Sequence, residues 1–117
     1  MQTGLLFLMA AIASATKHAA VVGVWRCTTI SPGGDHRTLT LEFHFDDGRL
    51  TGTASGSNTL AHLTGIRFDS GRLSFLLPEG DDTLRVEVEL EGDQFRGQWI
   101  CDGRSGSING FRGQPAM

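Results

Sequence analysis

The chain has 117 residues and a formal net charge of -3. That length suits one domain, and so mild a charge leaves no electrostatic footprint for nucleic acid. Glycine is abundant (16), proline sparse (3) and tyrosine absent, which with many Thr, Phe and Val favours short strands and tight turns over helices.

The N-terminus stands apart. Leu5 to Ile12 is an apolar run, followed by Ala13-Ser14-Ala15. This pattern predicts a secretory leader over residues 1–15, extending at most to about 20, with a small-residue cleavage site. No Lys or Arg precedes the run, and it falls short of the roughly 20 residues a membrane-spanning helix needs. The expectation is a secreted or periplasmic protein with no membrane contact after cleavage. A barrel domain over residues 21–113 and a tail over 114–117 would follow.

The first strand is expected over Val22 to Thr29, followed by the loop Ser31-Pro32-Gly33-Gly34-Asp35. Arg37 to Phe45 alternates, with Leu39, Leu41, Phe43 and Phe45 on one face. Asp46-Asp47-Gly48 is a tight turn, Leu50 to Ser55 a third strand, and Gly56-Ser57-Asn58 a loop. Leu60 to Phe68 is a less regular fourth strand, in which Gly65 marks a bulge. Asp69-Ser70-Gly71 turns the chain into a fifth strand carrying Leu73, Phe75 and Leu77. Pro78 to Asp82 reads as a loop. Leu84, Val86, Val88 and Leu90 then alternate with Arg85, Glu87 and Glu89 in a sixth strand. A turn at Glu91-Gly92-Asp93 leads to a seventh, with Phe95, Gly97, Trp99 and Cys101 inward. Asp102 to Gly106 is expected as a loop and Ser107 to Arg112 as an eighth strand.

Eight strands with one apolar face predict an all-β, antiparallel up-and-down meander closed into a barrel. A flattened two-sheet sandwich is the alternative. In the barrel, tight turns close one end and longer loops rim the other.

Both tryptophans and both cysteines lie in a repeated Gly-x-Trp-x-Cys motif, at Gly23 to Cys27 and Gly97 to Cys101. Alternation puts Trp and Cys of each copy on one face, expected inward. In an exported chain two cysteines are expected to pair, so Cys27 and Cys101 are assigned a disulfide. Closing a loop of about 74 residues would be worth roughly 4.5 kcal/mol. The eighth strand should separate the two cysteines in a closed barrel, so the bond requires that strand to begin below their height.

Gly23-Val24-Trp25 resembles the Gly-x-Trp of the first strand in lipocalins and avidins. Gly48 to Thr53 looks like the avidin hairpin into the third strand, and Phe95-Arg96-Gly97-Gln98-Trp99 is similar to that family's seventh strand. The resemblance implies a barrel with a ligand site at its loop end. It puts Ser31 where avidins have a ureido-binding serine and Phe95 where they have a ligand-covering aromatic. Cys27, Ala54 and Gly56 replace the family's Asn, Tyr and Ser, which argues against tight biotin binding.

Candidate ligand-binding residues are therefore Trp25, Ser31, Arg37, Phe95 and Trp99, for a small, partly apolar molecule at the loop end. The alternatives are a filled core, a protein-binding or inhibitor module acting through the loop rim, and a structural domain without ligand. His36, His44 and Glu42 share one face but lack the convergence a metal site requires, so no metal is expected. No nucleophile–base pair, phosphate-cradling loop or dinucleotide fingerprint occurs, so neither an enzyme nor a cofactor is expected.

Overall fold

The structure, a computed structural model, describes residues 19–56 and 60–113. The expected leader, the tail and part of the 56–58 loop lie outside the described residues. The strands are β1 (Gly23–Ile30), β2 (His36–Asp46), β3 (Arg49–Ser55), β4 (Leu60–His62), β5 (Thr64–Asp69), β6 (Arg72–Glu79), β7 (Asp82–Glu91), β8 (Gln94–Cys101) and β9 (Arg104–Arg112). They form one antiparallel sheet in the order β4-β3-β2-β1-β9-β8-β7-β6-β5, curled into a nearly closed barrel. The single continuous sheet excludes the two-sheet alternative.

Nine strands replace the expected eight because the fourth breaks. Leu63 interrupts Leu60 to Asp69, so β4 pairs with β3 and β5 with β6. One stretch of chain thus crosses from one sheet edge to the other and draws the cylinder together. The expected irregularity at Gly65 is present as a register shift between Thr64 and Arg67.

The turns follow local chemistry. Asp47 and Gly48 (φ 54° and 81°), Ser70 and Gly71 (53° and 80°), and Asp102 and Gly103 (50° and 76°) are two-residue turns with both central residues left-handed, the type I′ pattern that matches strand twist. Gly80 (φ 62°) and Gly92 (φ 64°) take the first central position of the other two, where a type II′ turn requires glycine. The expected loops at Pro78 to Asp82 and Asp102 to Gly106 therefore shrink to two residues each. Among the described residues the Ser31 to Asp35 segment is the one full loop at that end.

The alternating positions point inward as expected. Trp25, Leu41, Phe43, Leu73, Phe75, Val86, Val88 and Ile108 are fully buried; Trp25 and Phe95 meet with tilted rings (centroids 4.8 Å) and Phe43 and Phe75 edge to face (5.7 Å) in the interior. Phe45, also expected inward, sits at the tight-turn rim and is 41% exposed.

Cys27 and Cys101 both face the core but are not bonded. The register explains it. Strand β9 does not stop short; it begins at Arg104 and runs the full height between β1 and β8. Cys27 lies opposite Gly110 on β9, whereas Cys101 lies opposite Arg104. At ~3.4 Å per residue, the six positions between Gly110 and Arg104 displace the thiols by about 20 Å along the strand, far beyond disulfide reach.

The first and last strands are joined instead by the pairing of β1 with β9 at the middle of the sheet, where Trp25 lies opposite Arg112. The Arg112 guanidinium stacks 5.0 Å from the Trp25 ring centre. It donates to the carbonyls of Ala20 (2.7 Å), Val22 (3.1 Å) and Ala19 (3.3 Å), and to Asp93 Oδ1 (2.7 and 2.9 Å). The Trp25 indole in turn donates to the Val21 carbonyl at 2.8 Å. Gly23 must be glycine here: its φ is +134°, and a Cβ would stand 2.9 Å from the Arg112 Cδ.

Arg112→Ala should destabilise the domain by about 2–3 kcal/mol, since several charge-assisted bonds vanish at once. Arg112→Lys should recover only part, because an ammonium cannot bridge carbonyls and carboxylate as the planar fork does. Urea unfolding midpoints of the two variants check this.

Candidate functional site

The five residues expected to form a site do not converge. Trp25 and Phe95 lie low in the barrel, stacked on each other beneath Arg112 and near the tight-turn end. Trp99, Ser31 and Arg37 lie toward the opposite end: Trp99 faces Gly106, Arg37 pairs with Thr29, and Ser31 follows β1. Ser31 is committed to its own loop, its hydroxyl accepting from the Asp35 N–H at 3.2 Å and its carbonyl from the Gly34 N–H at 2.9 Å. Arg37 reaches across to Glu79 at 2.7 Å, an exposed pair. The Trp99 indole N–H is buried without a partner among the described residues.

Burial also sets the thiol chemistry. Desolvation pushes Cys27 from its ordinary 9.0 up to about 12, outweighing a hydrogen bond with the Leu41 backbone that lowers it. Near neutral pH it is therefore an inert thiol packed over Gly110.

One concave feature lies where the barrel wall is incomplete. The Leu63 N–H donates to the Gly52 carbonyl at 2.9 Å, and below that bond no ladder joins β3 to β5. A cleft of about 450 Å³ opens there. Leu50, Gly52, Leu63 and Ile66 form its floor, while Arg49, Thr51, His62 and Thr64 form its lip. Strand parity makes this division: Gly52 and Leu63 are buried, and their neighbours Thr51, His62 and Thr64 are exposed. Gly52 leaves room for the core beneath the cleft, because a Cβ would meet Leu63 at 2.9 Å and Phe43 at 3.0 Å. Arg49 and His62 have no ion-pair partner among the described residues.

The sequence places His62 on its least regular strand, and the glycine interruption beside it is the signal that could have located this cleft. What the pattern of apolar residues does not reveal is that the interruption moves the strand from one neighbour to another.

No family model matches the chain, and no curated protein matches it. Among solved structures it is similar to a redesigned β-barrel, with a TM-score of 0.66 and 15% identity over 85% of this chain and 96% of that one. Likeness at that identity shows the fold alone.

Two outcomes follow from the buried groups. Both thiols should resist an aromatic disulfide reagent in the folded protein and react in denaturant, with the same mass under reducing and non-reducing conditions. Stability should fall as pH rises from 9 towards 12, because the unfolded chain releases the Cys27 proton in that range while the folded chain retains it. Separately, Trp25→Phe should cost at least about 1 kcal/mol more than Trp99→Phe, since the first loses a made hydrogen bond and the second removes an unmade one. Thermal unfolding followed by circular dichroism measures the difference.

Proposed function

We propose that this chain is an exported, non-enzymatic binding module of lipocalin- or avidin-like architecture. Its ligand is a small molecule with an apolar body and an anionic head, taken up at the open seam rather than at the loop end. The observation that carries the reading is the interrupted strand. A barrel built only for stability would gain by continuing the β3 ladder down to β5, and this one leaves the edge of β3 from Arg49 to Thr51 without a strand partner on that side among the described residues.

The cleft volume of about 450 Å³ falls within the range of small-molecule sites, which runs from roughly 300 to 1,000 Å³. Its floor is aliphatic, and its lip carries the Arg49 guanidinium and the His62 imidazole, both suited to a carboxylate or sulfonate. The Trp25–Phe95 and Phe43–Phe75 ring contacts occupy the interior, which favours this side opening over a central cavity. Export rests on the apolar leader alone, since the unpaired cysteines lend it no support.

Decanoate titrated into the folded protein should shift the backbone amide resonances of residues 49–52 and 62–66 in nuclear magnetic resonance spectra. Thr64→Trp, which fills the lip, should weaken the effect at least tenfold, and Arg37→Ala at the loop end should leave it unchanged. Shifts centred on Ser31, Arg37 and Trp99 would return the site to the loop end. An absence of shifts anywhere would remove the ligand reading.

A further inference from the structure

We propose a second binding site, on the outer wall of β9, β1, β2 and β3, for an acidic saccharide. Register builds it. Phe111 lies opposite Arg26, Arg26 opposite Thr40, and Thr40 opposite Ser55, so one transverse row crosses four strands. Their neighbours Gly110, Cys27, Leu41 and Ala54 are buried, which turns the row outward. Thr28 and Thr38 supply the next row. Together these side chains line an open groove of about 500 Å³.

Three observations point to the ligand class. Phe111 holds a ring 57% exposed on the last strand, where a hydroxyl or charge would serve the fold equally well. Arg26, beside it, is exposed and has no ion-pair partner among the described residues. Beside Leu39, Cys27 and Gly56, the remaining lining side chains are the hydroxyls of Thr28, Thr38, Thr40 and Ser55, which donate and accept alike.

A pyranose presents an apolar C–H face suited to an aromatic ring and a rim of hydroxyls suited to Thr and Ser. A uronic-acid carboxylate suits the guanidinium fork. One cation in a chain of net charge -3 does not suit a polyphosphate, which needs several cations to neutralise it. The groove lies on a different part of the wall from the seam and does not depend on the ligand proposed there.

The test is calorimetric titration with tetragalacturonate, with uncharged galactotetraose and a tetraglutamate peptide as comparison probes. Tetragalacturonate should bind and shift the amides of residues 26–28, 38–40 and 109–111. Arg26→Gln and Phe111→Ala, both at exposed positions, should each weaken it at least tenfold at unchanged melting temperature, while Thr64→Trp at the seam should have no effect. The site is overturned if tetragalacturonate fails to bind or if Arg26→Gln binds as well as the parent. Equal binding of galactotetraose would overturn the acidic specificity, and equal binding of tetraglutamate would reduce the site to anion attraction and overturn the saccharide.

Discussion

Arg112 spans the junction between the first and last strands, and the nearly closed barrel depends on what it holds at the middle of its sheet. Trp25 and Arg112 lie opposite each other although almost the whole domain separates them in sequence. Loop-closure entropy opposes such a contact, and a barrel gains little from it until the intervening hairpins have formed. The local hairpins are thus expected to form early, with the β1–β9 seam closing over them. Once closed, the guanidinium covers the indole, ties Asp93 from the neighbouring turn and holds the carbonyls of the approaching chain. A covalent link would lower the entropy of the unfolded chain; this arrangement acts on the folded state alone.

That difference explains where sequence reasoning succeeds and where it does not. Alternation is a local property, so the inward faces of β2, β6, β7 and β8 can be read directly from Leu41-x-Phe43, Leu73-x-Phe75, Val86-x-Val88 and Phe95 to Cys101. Turn chemistry is local too, and Asp47-Gly48, Ser70-Gly71 and Gly92-Asp93 mark their own bends. Loop length is less legible: Pro78 and Glu79 have turn-like composition yet continue the ladder opposite Thr83 and Asp82. Register between strands far apart in sequence is not written in either strand. The paired Gly-x-Trp-x-Cys motifs suggest equal heights for Cys27 and Cys101, but height is set by how β1 and β8 each slide along β9. That slide follows from barrel stagger, which composition does not encode.

The candidate site was legible in the same uneven way. Gly65 signals trouble in the fourth strand, and His62 stands beside it. The change of partner at Leu63 needs the positions of both β3 and β6, which come from the closed structure. Conversely, Trp25 and Phe95 carry the strongest sequence signal and serve mainly to fill and close the barrel. Prominent aromatics in a small barrel are first of all packing material, because an eight- to nine-stranded interior is about the width that side chains can occupy.

Function on such a scaffold is better sought in what the fold does not require. The likeness to a redesigned barrel shows how much sequence can change while this architecture persists, so strand alternation and hairpin turns say nothing about ligands. Two features exceed what folding needs. One is the break that opens the β3 edge although a continued ladder would satisfy its backbone groups. The other is the decoration of the outer wall: β6 and β7 carry the Arg72–Glu89 and Arg85–Glu87 pairs and β2 the Glu42–His44 pair, while the row through Phe111, Arg26, Thr40 and Ser55 sets hydroxyls and an open ring beside a guanidinium with no ion-pair partner among the described residues. Solubility alone would be served by repeating the charged pattern around the whole cylinder. The departure from it on one side is the kind of difference that recognition exploits, because hydroxyls around a single guanidinium exchange water for a polar ligand at smaller desolvation cost than a wall of ion pairs.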